Sequence, residues 1–154
     1  MLKGVKSVEP GYTGGKTQSP AYEGVCVGGT GHVEVTKIEY NPDELSFEEL
    51  LQVFFNAHDA TQVGGQGSDI GEQYRTAIFY TTDRQREKAQ HYIDVINKSA
   101  TKRVVTTVEP LTTFWPAEDY HKKYFEAHKD APYCQLVIAP KVEKIQKKFA
   151  SILK

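Results

Sequence analysis

His32-Val33-Glu34-Val35-Thr36-Lys37-Ile38-Glu39-Tyr40, followed by Asn41-Pro42-Asp43 and then Ser46-Phe47-Glu48-Glu49-Leu50-Leu51-Gln52-Val53-Phe54-Phe55, decides the fold class of this chain. The first run alternates. Val33 and Val35, then Ile38 and Tyr40 after a break at Lys37, form an apolar set against His32, Glu34 and Thr36. Successive side chains leave a strand on opposite faces, so this run reads as a half-buried strand. Asn-Pro-Asp closes it as a turn. Ser46 then has the chemistry of a helix N-cap, and Glu49 stands where a reciprocal capping-box partner belongs. Phe47, Leu50, Leu51, Phe54 and Phe55 recur at helical spacing, which predicts a helix with one apolar face.

Downstream, residues 58–74 are irregular and glycine-rich, with Gly64, Gly65, Gly67 and Gly71. A loop of that length inside a compact domain is more often functional than idle. Residues 75–80 read as a strand, and residues 83–98 as a polar surface helix with Ala89, Tyr92, Ile93 and Ile96 facing inward. Residues 104–108 read as a further strand, 111–116 as an aromatic connector, and 117–128 as a short helix. Residues 133–139 are β-prone, and 141–154 read as a basic amphipathic helix. Upstream, Pro10-Gly11-Tyr12-Thr13-Gly14-Gly15 cannot hold a helix and reads as loop, as does the glycine cluster Gly28-Gly29-Thr30-Gly31. Strands and helices mix without an internal repeat. The expectation is one α/β (α+β) domain over residues 1–154, a two-layer sandwich with helices packed on one mixed sheet.

Composition bounds the function. The 154 residues are 39% hydrophobic and 25% charged with a net charge of −1. That is ordinary for a globular domain and does not suit a polyanion partner. No apolar run approaches the roughly 20 residues that span a bilayer. The opening Met-Leu-Lys-Gly-Val-Lys lacks the apolar stretch of a secretory signal, so a cytoplasmic address is expected. Two cysteines, Cys26 and Cys134, are too few for a disulfide framework and lack the paired spacing of a zinc site. Each is either an inert buried thiol or part of redox chemistry.

Four blocks then stand in order: Gly11-Tyr12-Thr13-Gly14-Gly15 with Pro20-Ala21-Tyr22-Glu23-Gly24-Val25-Cys26; Thr30-Gly31-His32-Val33-Glu34-Val35; Gln66-Gly67-Ser68-Asp69-Ile70-Gly71-Glu72-Gln73-Tyr74-Arg75; and Phe114-Trp115-Pro116-Ala117-Glu118-Asp119-Tyr120-His121. Together they resemble the A-type peptide methionine sulfoxide reductases, over residues 2–134. The resemblance implies a ferredoxin-like core and a thiol reaction. In it a cysteine thiolate attacks the sulfoxide sulfur of the S epimer, methionine departs, and a sulfenic acid remains. A second thiol condenses with that sulfenic acid to a disulfide, and thioredoxin reduces it, with no bound cofactor.

Residue by residue, the resemblance assigns Glu34 as the carboxyl that protonates the leaving oxygen. A general acid working at neutral pH calls for a desolvated pocket. Tyr22 and Tyr74 match the phenols that donate to the sulfoxide oxygen, since a phenol keeps its proton at neutral pH. Asp69 matches the loop carboxylate that positions the site, and Cys134 matches a resolving cysteine. Read without the resemblance, Glu34 is equally a solvent-facing strand residue, the tyrosines are packing residues, and Asp69 suits an Asx turn. The family's Gly-Cys-Phe-Trp motif, which carries the attacking cysteine, is absent from these 154 residues. The expectation is therefore an N-terminally incomplete member, without the first strand and helix, inactive or nearly so, and a monomer when complete. Ala60 replaces a proline usual in the family, a change confined to a turn.

Two other classes compete. His32 and Glu34, with His58 and Asp59, offer nitrogen and oxygen donors to a metal, although a catalytic zinc site wants a third strong ligand. A non-catalytic module that binds oxidised methionine needs the donors but no attacking sulfur.

Overall fold

The computed structural model describes residues 2–16, 24–25, 29–118 and 127–154, apart from the side chains of Cys134 and Val137. Strand β2 (Val33–Tyr40) is the one its alternation predicts. Its partner is β1 (Val5–Thr13), antiparallel, with Thr13 opposite Val33 and Val8 opposite Ile38. This corrects the reading of residues 10–15 as loop, because Pro10 to Thr13 belong to the strand. The cause is non-local. The carbonyl of Pro10 accepts from the Ala117 amide at 2.9 Å. Strand β7 (Trp115–Pro116) pairs with Gly11 and Tyr12 on the other edge of β1. A Cβ on Gly11 would overlap the Phe114 ring and the Trp115 carbonyl, so glycine here serves close approach rather than a turn. Part of the aromatic connector is thus the third strand of a sheet ordered β2-β1-β7.

Helix α1 (Phe47–Ala57) starts at the expected capping box. The Glu49 amide donates to Ser46 Oγ at 3.1 Å, and the Ser46 amide donates to Glu49 Oε2 at 2.8 Å. A short hairpin follows, β3 (Gly65–Gln66) with β4 (Asp69–Ile70), and then a single 3-10 turn, Glu72–Tyr74. Strand β5 (Ala77–Tyr80), helix α2 (Asp83–Ser99) and strand β6 (Thr107–Pro110) form a crossover unit whose strands pair in parallel. The expected strand over 104–108 begins later, at Thr107.

Two buried clusters hold these layers. Ala60, Ile93 and Val104 pack with Phe55, Ile96 and Val108 between α1, α2 and β6. The Phe55 and Tyr92 rings stack across the helices at 5.2 Å. Tyr12, Val25 and Ala117 form the other cluster, with Trp115 against it.

Helices and strands mix in one α+β chain, as expected. The described strands, however, pair as three separate sheets instead of one. Residues 133–139, expected to be extended, are helical: a π-helical stretch over Cys134–Ile138 runs into α3 (Ala139–Lys148), and a 3-10 turn, Ala150–Ile152, leads to Leu153, which bridges Leu2. Its β-branched residues have no described strand beside them, so the backbone bonds locally, and Pro140 stands where the π-helical stretch passes into α3. The helix expected over 117–128 falls largely on residues 119–126, outside the described residues. No described helix is long and apolar enough to cross a membrane.

Candidate active site

Glu34 lies on β2 directly opposite Tyr12 of β1, and Tyr12 lies opposite Trp115 of β7. Directly opposed residues share a face, so these three side chains form one row across the sheet. Tyr12 is 1% exposed, and its phenol donates to Glu118 Oε2 at 3.0 Å. Glu34 itself is exposed. The desolvation expected of a general acid is not supplied by the described residues.

Tyr74 is half-buried at the end of the 3-10 turn, and that turn packs against β2. The turn is closed by the Tyr74 amide donating to the Gly71 carbonyl at 3.1 Å and the Arg75 amide donating to the Glu72 carbonyl at 3.2 Å. It is tied down on both sides. On the downstream side, Arg75 Nη1 donates to Thr107 Oγ1 at 2.7 Å and to Glu109 Oε2 at 2.9 Å. Burial pushes the Glu109 carboxyl up, but donation from Arg75 and from the Thr107 hydroxyl outweighs it and holds the group below the usual carboxylate range. On the upstream side, Glu72 Oε1 accepts from the Gly29 amide at 2.8 Å and from the Gly31 amide at 3.3 Å. The entry to β2 and the turn bearing Tyr74 are therefore joined by a side chain.

Asp69 is half-buried at the start of β4 and accepts from the Tyr133 hydroxyl at 2.7 Å. That bond docks the segment containing Cys134 on the hairpin that precedes the Tyr74 turn. Tyr22 and Cys26 lie outside the described residues, and so does the side chain of Cys134. Of the sequence-derived set, the structure brings the Glu34 strand, the Tyr74 turn and the Asp69 hairpin into one neighbourhood.

Three of the four donors of the metal reading, His32, His58 and Asp59, are separately committed. His32 is 2% exposed, and its Nδ1 accepts from the Gly15 amide at 3.2 Å. His58 Nδ1 lies 2.7 Å from the Phe54 carbonyl, which can only accept, so Nδ1 carries the proton. Nε2 then accepts from the Thr76 hydroxyl at 2.7 Å. Asp59 accepts from the amide and hydroxyl of Thr61. Among the described residues no three His, Cys, Asp or Glu stand together as a metal site.

Reading along the chain missed Tyr12, Glu118 and Glu72. All three sit inside the quoted motif blocks. Their partners are 106 residues away for Tyr12 and Glu118, and 43 residues away for Glu72 and Gly29, which no local pattern reveals. A hollow of about 450 Å³ between α1 and α3, bordered by Val53, Ala57, Val142 and Ile145, includes none of these residues.

Comparison with known proteins bears on this geometry. A family model described as peptide methionine sulfoxide reductase matches residues 1–153. The chain is 48% identical over 149 residues to the peptide methionine sulfoxide reductase MsrA of Picrophilus torridus, covering 96% of this chain and 84% of that one. It is 46% identical over 154 residues to an MsrA of Thermus thermophilus, covering 100% of this chain and 88% of the other. The reduced form of Mxr1 from Saccharomyces cerevisiae superposes with a TM-score of 0.80 at 28% identity, over 85% of this chain and 76% of that chain. Methionine sulfoxide reductase A of Corynebacterium diphtheriae gives a TM-score of 0.72 at 33% identity, over 82% and 65%.

Proposed function

The chain belongs to the peptide methionine sulfoxide reductase family, and from that membership we propose that it holds the S epimer of methionine sulfoxide, free or within a protein, and protonates its oxygen. The observation that supports the reading is the packing on β2, the strand that bears Glu34, of the 3-10 turn that ends in Tyr74. A sulfoxide oxygen carries partial negative charge that grows as the S–O bond breaks. Donors fixed in advance stabilise that growth without reorganisation. Tyr74 and Tyr22 donate to the oxygen, Glu34 delivers the proton, and Asp69 keeps the adjoining hairpin in place through Tyr133.

The reaction needs two electrons from sulfur. A thiolate attacks the sulfoxide sulfur, the S–O bond breaks, methionine leaves, and the oxygen stays on the attacking sulfur as a sulfenic acid. A second thiol displaces that oxygen as water and forms a disulfide, which an external dithiol reduces. Cys134 is the resolving thiol, thioredoxin is the reductant, no bound cofactor takes part, and the setting is a monomer in the cytoplasm. These 154 residues contain no Gly-Cys-Phe-Trp motif. By themselves they supply the acid and the donors, and they bind the sulfoxide without sustained turnover.

The test is an epimer-resolved assay with dithiothreitol and N-acetylmethionine sulfoxide amide. The expected result is product formation by the 154-residue chain at the uncatalysed rate for both epimers. Repeated turnover of the S epimer would overturn the inactivity of the chain and place attack at Cys26 or Cys134. Repeated turnover of the R epimer would overturn the assignment of the donors.

A further inference from the structure

Gly29 and Gly31 both adopt positive φ, 80° and 74°. Their amides, two residues apart, point at a single oxygen, Glu72 Oε1, at 2.8 and 3.3 Å. Converging backbone N–H groups of this kind form a concavity suited to an anion. Here the anion is supplied by the protein. Other bonds fix the same short loop from its opposite side: the Lys16 amide donates to the Thr30 carbonyl at 3.0 Å, the His32 amide to Thr30 Oγ1 at 3.2 Å, and the Gly15 amide to His32 Nδ1 at 3.2 Å. Val33 opens β2 immediately after, and Glu34 is its second residue. At the other end of the clamp, Glu72 is the first residue of the turn that Tyr74 ends.

We propose that Glu72 is a positioning residue: its carboxylate, seated between the Gly29 and Gly31 amides, fixes the separation of Glu34 from Tyr74, and with it the shape of the sulfoxide-oxygen site. The inference rests on the sulfoxide-binding reading above. Gln at this position keeps an acceptor oxygen of the same reach, whereas Ala removes the acceptor and leaves two amides to water. Both amides bond one oxygen, so the geometric requirement is an acceptor of that reach: Glu72→Gln keeps the clamp and Glu72→Ala abolishes it. The positive φ values require glycine at both amide positions, because any side chain there is strained.

The experiment compares the wild-type 154-residue chain with Glu72→Ala and Glu72→Gln in two measurements. Hydrogen exchange reads the Gly29 and Gly31 amides, and calorimetric titration with N-acetylmethionine-S-sulfoxide amide reads the site. Far-UV circular dichroism checks that each variant is folded. Glu72→Ala is expected to lose protection at both amides and to bind about tenfold more weakly, the scale of one weakened hydrogen bond to the ligand. Glu72→Gln is expected to restore both to near wild type. Folded Glu72→Ala with wild-type affinity overturns the proposal, as does failure of Glu72→Gln to rescue a weakened Glu72→Ala. A wild-type chain that does not bind the sulfoxide overturns the functional reading, and amide protection lost in Glu72→Ala would then show that the clamp is structural only.

Discussion

At the scale of single residues, side chains whose chemistry is local were legible and those whose partners are distant were not. Ser46 and Glu49 were found from spacing because a capping box is complete within four residues. Glu34 and Tyr74 were found because their motif blocks resemble a family. Nothing in the sequence showed that Tyr12 reaches Glu118, or that Tyr133 reaches Asp69. His58 gives a pH prediction. Burial is the largest influence on its imidazole and lowers its affinity for a proton, and Lys141 adds to this. The Phe54 carbonyl and Asp59 oppose it, and the net pKa lies below the ordinary histidine value. The folded state therefore binds fewer protons than the unfolded chain. Stability is full above the unfolded imidazole pKa of about 6.5 and declines as pH falls below it. Urea melts at pH 7.5 and 5.5 are expected to show that loss, and His58→Gln should flatten it. An equal slope in the variant would place the titration elsewhere.

At the scale of elements, β2, α1 and α2 were readable because each buries one face at its own period. Strand β1 was not, because Pro10 and Gly11 look like loop residues until β7 and Phe114 close on them. The segment 133–139 failed in the opposite sense: β-propensity expresses a fit to a neighbouring strand, and the described residues offer none. Two variants test these origins. Ser46→Ala removes one half of the capping box and should cost about 1 kcal/mol in a urea melt. Gly11→Val forces a side chain into the Phe114 ring and the Trp115 carbonyl and should destabilise by about 1–3 kcal/mol, or more if β7 is displaced. A neutral Gly11→Val would mean that β7 does not pack where it stands.

For the whole molecule, the α+β class was evident from the alternation of elements, but the division of its strands was not. Among the described residues β2 has a strand partner on one edge only, and so does β5. Val8 and Ile38 oppose one another in the β1–β2 ladder while remaining 52% and 41% exposed. Val63, Ile70 and Leu136 are 70% exposed or more. Apolar surface of this kind favours association. The 154-residue chain is expected to melt at low temperature and to aggregate as it unfolds, as light scattering during a thermal ramp would show; a sharp, reversible high-temperature melt of a monomer would contradict this. In the function proposed above, the Tyr74 turn, packed on β2, and Glu34 together hold a sulfoxide oxygen. Calorimetric titration of the chain with the S sulfoxide, the R sulfoxide and the sulfide product tests it most directly. The S epimer is expected to bind tightest, and Tyr74→Phe and Glu34→Ala are each expected to weaken its binding about tenfold, the worth of one hydrogen bond to a polar oxygen. Equal affinity for all three ligands, or for wild type and both variants, would contradict it.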